Sequence, residues 1–441
     1  MTSAALAERS LDVQYYLWHN DLTGRTLAGE LLRAADRGVR VRVLIDDVSA
    51  RTTDDELASL DAHELIEVRV FNPFRTRGSA IGNGLEFIGG GGRVNHRMHN
   101  KLWIADSRLA IVGGRNIGDE YFGAHEQVNF GDLGVLVAGH VVTDAGVLFD
   151  EYWNSDSVVP ISALERLSDP ATAIAKARTT LEAERVTARD TPYGARLLKM
   201  RDKGALELGL ARMLHGAKVR VVADDPSKSK GSDDGPQIMF DTMVGLLRSA
   251  QSEAVIVSPY FVIGSKGSDM LLDMQARGIA TRVLTNSLAA NDVAAVHGGY
   301  SKQRERLLSG GVTIHEIKPK QKMPHDESGV SSGASLHAKA LIIDRSVAFV
   351  GSFNMDPRSA HINTESGIVI DDPAFATALR ARYELATTRE RSWELALDGG
   401  KIVWLDEIDG KPVTLRDEPP SSMGHRFKAW LFRVLPLDSQ L

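Results

Sequence analysis

The 441-residue chain has no cysteine, which removes disulfides, thiolate metal sites and cysteine nucleophiles from consideration. Any covalent chemistry has to use another side chain. Runs of about 18 apolar residues are also missing, and Met1 is not followed by a basic segment and an apolar stretch, so neither a membrane-spanning helix nor a secretion signal is expected. The formal net charge is −6, with no excess of Lys and Arg. That balance argues against a protein that wraps nucleic acid, whose affinity comes from clustered cations neutralising phosphates, and no nucleic-acid partner is expected. With 43% hydrophobic and 25% charged residues, disordered and fibrous classes are excluded as well.

What the chain does have is an internal duplication. Leu11 to Trp18 reads as a buried strand, Thr26 to Arg37 as a helix closed by Gly38, and Val39 to Ile45 as the next strand. The same plan returns as Ala254 to Val262, Ser268 to Arg277 with Gly278, and Ile279 to Thr285. The strongest part of the repeat aligns HNKLWIADSRLAIVGGRN (99–116) with HAKALIIDRSVAFVGSFN (337–354), eight identities in eighteen positions without a gap. Each copy reads as strand, tight turn, strand, with Asp106 and Asp344 at the turns and holding the hairpin. The expected fold class is α/β, two repeated domains with mixed sheets flanked by helices. The expected division is a first half over 1–155, a helical and loop connector over 156–235, a second half over 236–390, and an extension over 391–441. PSKSKGSDDGP (226–236) is expected to be a surface loop, as are Gly89 to Gly92 and Gln321 to Ser335.

Residues two apart on a strand share a face, so His99 with Lys101, and His337 with Lys339, each present an imidazole beside an ammonium. Seventeen residues after each histidine stands an asparagine, Asn116 and Asn354, which the hairpin returns to the start of the first strand. Lysine brings positive charge, asparagine amide donors, and histidine a group that attacks or moves a proton near neutrality. The set suits a phosphate diester. If the halves pack face to face into one shared active site, one histidine attacks phosphorus while the other protonates the leaving oxygen. A carboxylate on the other ring nitrogen would fix each tautomer. Asp132, 33 residues after His99, and Glu365, 28 after His337, are the candidates, with a solvated strand end or a structural ion pair as the alternative. Glu120, near Asn116, is read as structural. No metal is expected, because the histidines lack a second ligand at helical spacing such as His-Glu-x-x-His, and Gly89 to Gly92 lacks the Gly-Lys-Ser/Thr of a phosphate-binding loop.

HxKxxxxD followed by GGxN or GSxN, twice in one chain, resembles the phospholipase D superfamily over most of residues 9–370. NHRMHNK (95–101), GGRNIGDEYFG (113–123), HGGYSKQRERLLSGGVTIHEIKP (297–319) and GSFNMDPRSAHINTE (351–365) look like bacterial cardiolipin synthases of the C type. That resemblance implies transfer of a phosphatidyl group, through a phosphohistidine and without a metal or other cofactor, onto phosphatidylglycerol. Phosphatidylethanolamine is a possible further substrate. It also implies His99 as nucleophile and His337 as general acid, an order that the near symmetry of the copies leaves open to exchange. Relatives generally carry an N-terminal anchor, whereas only MTSAALAER precedes the first strand, which puts both Met1 as the start and attachment through that end in question.

Near the C-terminus Phe427, Trp430, Leu431, Val434 and Leu435 fall on one helical face, with Arg426, Lys428 and Arg433 around it. Residues 425–435 therefore suit an interfacial helix on an anionic membrane surface, or a last helix docked on its own domain. The expected location is peripheral, at the bacterial cell membrane, with a cytoplasmic soluble form as the alternative. The competing functions are a phospholipase D that hydrolyses the same intermediate to phosphatidic acid, a superfamily nuclease, which the acidic charge disfavours, and an inactive membrane-binding scaffold.

Overall fold

The computed structural model describes residues 1–50, 54–74, 93–126, 129–202, 213–231, 236–291, 294–319 and 335–419. The expected loops at 89–92 and 321–334 and the helix at 425–435 lie outside the described residues.

Two sheets are built from apolar strands of Val, Ile and Leu, the composition of strands covered on both faces. The first contains β1 (Ser10–Tyr15), β2 (Arg40–Asp46), β3 (Ile66–Phe71), β4 (Leu102–Ala105), β5 (Leu109–Gly113), β6 (Gly134–Ala138) and β7 (Val158–Pro160), in the order β6-β5-β4-β1-β2-β3-β7. The second contains β8 (Lys218–Ala223), β9 (Glu253–Val257), β10 (Ala280–Asn286), β11 (Thr313–Ile317), β12 (Lys339–Ile343), β13 (Val347–Gly351), β14 (Ser366–Asp371), β15 (Ser392–Asp398), β16 (Lys401–Ile408) and β17 (Lys411–Leu415). Its order is β17-β16-β15-β11-β10-β9-β12-β13-β14-β8. The duplication is visible in the pairing. In each sheet three parallel strands, β1-β2-β3 or β9-β10-β11, are extended by an antiparallel hairpin, β4-β5 or β12-β13, and then by β6 or β14. Within 156–235, β7 joins the edge of the first sheet and β8 the edge of the second, while β15 to β17 lengthen the second sheet beyond residue 391.

The first long helix starts earlier than apolar periodicity suggests because its cap lies upstream. The first long helix runs Leu22–Asp36, with the Asp21 carboxylate accepting the Gly24 N–H at 2.9 Å, and it buries Leu27, Leu31 and Leu32 against β1 and β2. It ends at Gly38, whose φ of +97° is the left-handed conformation glycine adopts without strain. The hairpin turns are built alike. Asp106-Ser107 and Asp344-Arg345 all have φ between 52° and 54°, as a two-residue turn with the twist of the flanking strands requires. Asp106 accepts the N–H groups of Glu8, Arg9 and Ser10, and Asp344 those of Gln251, Ser252 and Glu253, so each ties its hairpin to the entry of the central strand.

PSKSKGSDDGP departs from a plain surface loop. Pro226–Lys230 forms a 3₁₀ turn in which Lys228 and Ser229 are buried, because the Lys228 ammonium pairs with Asp224 at 2.8 Å and donates to the Ser359 carbonyl at 3.1 Å. One apolar core joins the halves. Leu44, Phe71, Leu102 and Ile104 of the first pack in the same cluster as Val255, Ala340, Ile342 and Leu379 of the second. At roughly 1.5–3 kcal/mol for each large aliphatic side chain fully removed from water, that shared cluster holds the halves in one register.

Candidate active site

The seam between the halves is made of two backbone crossings related by the duplication. His99 N–H donates to the Thr364 carbonyl at 2.8 Å while Thr364 N–H donates to Arg97 at 2.9 Å. In the other copy His337 N–H donates to Gly131 at 2.8 Å while Gly131 N–H donates to Ser335 at 3.1 Å. Met98 thus bridges Thr364, and Leu336 bridges Gly131. Each residue before a motif histidine is also pinned from the end of the neighbouring parallel strand. Met98 N–H donates to Asp46 at 2.8 Å, and Leu336 N–H to the Asn286 amide oxygen at 2.8 Å.

These crossings place each histidine beside the carboxylate of the opposite half. His99 Nδ1 lies 2.8 Å from Glu365 Oε2, and His337 Nδ1 lies 2.6 Å from Asp132 Oδ2. Both carboxylate side chains are fully buried. Close approach of β5 to β6 and of β13 to β14 makes this possible. A Cβ on Gly113 would come 2.4 Å from the Leu133 carbonyl, and one on Gly351 would come 2.5 Å from that of Ser366.

Lys101 and Lys339, 2% and 1% exposed, bring two buried cations to the seam. Their ammonium groups donate to the carbonyls of their own motif histidines, Lys101 to His99 at 2.6 Å and Lys339 to His337 at 2.5 Å. Lys339 Nζ also sits 2.9 Å from His337 Nδ1 and 3.1 Å from Nε2. An ammonium has only protons to give, and Nδ1–H already faces Asp132, so Nε2 is the acceptor while the ring is neutral, and a protonated His337 leaves Lys339 on its own backbone carbonyl. Burial lowers the Lys101 pKa well below the usual lysine range, against the opposing pull of Glu365. Two desolvated ammonium groups are costly unless an anion joins them, which is what a phosphate diester would supply.

The two histidine pairs differ electrostatically. Burial, then Lys101 and Lys339, hold the His99 pKa well below its ordinary value. His337 is lowered too, by burial and then Lys339, with Asp132 pulling the other way. Burial pushes the Asp132 carboxyl up, but His337 and Lys339 outweigh it and leave it below the usual range. For Glu365 burial wins, and the carboxyl is pushed up to about 7 despite Lys101.

Asn116 donates its amide N–H to Tyr121 Oη at 3.0 Å, and its oxygen faces the Leu17 N–H at 3.4 Å. Asn354 is buried with its side-chain oxygen unpartnered among the described residues, and its backbone N–H donates to Ser359 Oγ at 3.1 Å. Aromatic rings wall both imidazoles: Tyr16 lies edge-on to His99 at 5.0 Å, and Tyr121 and Phe130 lie 5.2 and 5.4 Å from His337.

All of His99, Lys101, Asn116, Asp132, His337, Lys339, Asn354 and Glu365 are therefore brought to the seam, whereas Asp106 and Asp344 stand at the far hairpin turns. Sequence reasoning missed that the carboxylates cross over, and it missed Tyr16, Asp46, Asn286, Ser352 and Ser359. Asp46 and Asn286 carried a usable signal, since they end the corresponding strands of the two copies. Among the described residues, one group outside the seam has metal-ligand spacing, His19, Asp21 and Glu120, lining a cavity of about 420 Å³ with Asn20, Asp119 and His125. Its donors are used within the fold: Asp21 caps Gly24 and accepts the Asp119 N–H at 2.7 Å, and His19 Nδ1 pairs with Glu120 at 3.2 Å.

A duplicated phospholipase D-like sheet with both histidine motifs at one seam defines a phosphatidyltransferase-type fold, and the chain belongs to the cardiolipin synthase, PLD-like domain family, whose model matches residues 3–146 and 243–385. It is 40% identical to cardiolipin synthase C of Escherichia coli K12 over 99% of this chain and 92% of that protein. Cardiolipin synthase 2 of Staphylococcus epidermidis is 25% identical over 86% of this chain and 63% of its own length. In solved structures the fold matches phosphatidylserine synthase of Haemophilus influenzae, with a TM-score of 0.60, 16% identity, and coverage of 89% of this chain and 84% of that one.

Proposed function

We propose that this chain forms cardiolipin by passing a phosphatidyl group through His99 to phosphatidylglycerol. The observation that carries the reading is the crossed pair of carboxylates: with both Nδ1 atoms engaged, Nε2 is the reactive nitrogen of each imidazole. The neutral His99 attacks phosphorus through Nε2, and the P–O bond to the donor headgroup breaks. His337 gives its Nε2 proton to that oxygen, and the headgroup leaves as an alcohol. His337, now neutral, takes the proton of the incoming glycerol hydroxyl, whose oxygen forms the new P–O bond as the P–N bond breaks. Lys101, Lys339, Asn116 and Asn354 neutralise and hold the equatorial oxygens. The assignment of roles is supported by the carboxylates: burial lowers both imidazoles, but at His337 the charged Asp132 pulls the other way and favours an imidazolium, whereas burial and the two lysines hold His99 well below its ordinary value.

The functional units under this reading are the halves 1–155 and 236–390, with 156–235 linking them and 391–441 as an extension of the second half. The substrates are phosphatidylglycerol and, as a second donor, phosphatidylethanolamine. Residues 425–435 bind the anionic surface from which those lipids are drawn. This reading places the protein at the surface of the bacterial cell membrane, where those lipids lie; no helix among the described residues is long and apolar enough to cross a membrane.

Incubation with vesicles of labelled phosphatidylglycerol, with and without phosphatidylethanolamine, tests the proposal. Cardiolipin and free headgroup should appear together, and His99→Ala or His337→Ala should each remove turnover. Phosphatidic acid as sole product would replace the transferase with a hydrolase.

A further inference from the structure

The two copies differ in how they hold the carboxylate that faces the histidine. On Glu365, Ser359 Oγ donates to Oε1 at 2.8 Å and Ser352 Oγ donates to Oε2, the oxygen that also faces His99. Both hydroxyls are buried, Ser352 at 0% and Ser359 at 1% exposure. Ser359 is itself fixed, since its N–H donates to the Asp356 side chain at 2.7 Å and its oxygen accepts the Asn354 N–H. The ungapped alignment puts Gly114 at the place of Ser352, and the same offset carried into the short helices that follow, Asp119–Phe122 and Pro357–His361, puts Tyr121 at the place of Ser359. Asp132 accordingly has no hydroxyl donor among the described residues, and its second oxygen takes the Leu133 N–H at 2.7 Å. A side chain at 114 would not fit, because a Cβ there would come 2.8 Å from Asp132 Oδ1.

We propose that Ser359, together with Ser352, is a positioning residue that holds Glu365 as the anion opposite His99 Nδ1 and so reserves the Nε2 lone pair for attack on phosphorus. The inference rests on the reading of His99 as the nucleophile. A carboxylate accepts hydroxyl hydrogen bonds in its charged form, and an ionised Glu365 can only accept from Nδ1–H. A protonated Glu365 would donate to Nδ1, shift the ring proton to Nε2 and remove the attacking lone pair. The need for the clamp follows from the surroundings. Glu365 is fully buried, with Lys101 and Lys228 as facing cations, Asp224 and Asp356 as facing acids, and the Tyr16 ring and His99 across the seam. Burial and the two acids favour the neutral acid, so the serines and lysines have to oppose them. The first copy needs no such clamp, because Asp132 keeps its charge beside Lys339 and His337.

The test is the pH profile of kcat/KM for wild type, Ser359→Ala, Ser359→Thr and Ser352→Ala. It is measured as total glycerol released from phosphatidylglycerol vesicles, so that transfer and hydrolysis both count. Ser359→Ala should move the acidic limb up by about one pH unit, the size of a lost charge-assisted hydrogen bond. Turnover should then fall about tenfold at pH 6 and recover to within a few-fold of wild type at pH 9. Ser359→Thr, which keeps the hydroxyl, should follow wild type. Ser352→Ala should shift the limb in the same direction, and it carries the test if Ser359→Ala does not fold. An equal loss at every pH, or an unmoved limb, would overturn the clamp while leaving the proposed function standing. A wild type that releases no glycerol would remove that function, and the clamp with it.

Discussion

His99 and Glu365 are 266 residues apart and come from different copies of the duplicated chain, yet the imidazole Nδ1 and the carboxylate meet at 2.8 Å. His337 and Asp132 repeat the contact in the opposite direction. Each catalytic histidine proposed here is thus oriented by the half that does not contain it.

Neutralising the two carboxylates should separate their roles. Glu365→Gln and Asp132→Asn are each expected to lower kcat on phosphatidylglycerol about 1,000- to 10,000-fold, the scale seen when a carboxylate that fixes a catalytic tautomer is neutralised. With a diester whose leaving group is p-nitrophenol, which departs without protonation, Asp132→Asn should regain most of its first-turnover burst. Glu365→Gln should not. Stopped-flow release of nitrophenolate reads the difference, and equal recovery in both variants would exchange the roles of the histidines.

Asp106 and Asp344, the aspartates of the repeated motif, should matter to stability alone. Each carboxylate accepts three backbone N–H groups at the start of a central strand. Burial would raise both pKa values, but those hydrogen bonds outweigh it and hold them below the usual range. Replacement of either by Ala is expected to cost about 1–2 kcal/mol in urea unfolding, with kcat within about twofold of wild type where the protein is folded.

Asp356 predicts a pH-dependent stability of unusual sign. Burial pushes its carboxyl up to about 7 from an unfolded value of 3.8. Between those values the folded chain keeps a proton that the unfolded chain has released, so stability falls as pH rises toward 7. Asp356→Asn preserves a cap for the helix Pro357–His361 and removes the titration. The variant should gain on wild type by about 1–3 kcal/mol above pH 7, with the gap narrowing toward pH 4, as read by urea unfolding at several pH values.

The C-terminal stretch makes a prediction of its own. Deleting residues after Ser421 should weaken flotation with vesicles rich in anionic lipid while leaving turnover of dispersed short-chain substrate unchanged. Equal flotation would assign Phe427, Trp430 and Leu431 to packing on the protein.

Much of this was readable before any coordinates. Local periodicity and an ungapped repeat identify the strands, the hairpins and the set His99, Lys101, Asn116 with its duplicate, because those relations span fewer than twenty residues. The carboxylates were legible as residues but not as partners. Both begin apolar strands, but their opposite numbers depend on how two sheets dock, and a linear pattern carries no record of docking. Ser359 was hidden for a related reason. It lies five residues past Asn354, where the first copy has Tyr121, so comparing the copies alone erases it. The start of the first long helix was displaced because its cap, Asp21, precedes the apolar pattern that marks a helix.

The paired crossings at Met98–Thr364 and Leu336–Gly131 also constrain traffic. They lie one residue ahead of His99, Glu365, His337 and Asp132, so any hinge that parted the two sheets would disassemble both histidine–carboxylate pairs in the same motion. Lipid exchange therefore has to proceed with the sheets locked. A covalently held phosphatidyl group would then wait in a vessel that does not gape, where the order in which alcohols reach it decides between making a larger lipid and wasting the donor on water.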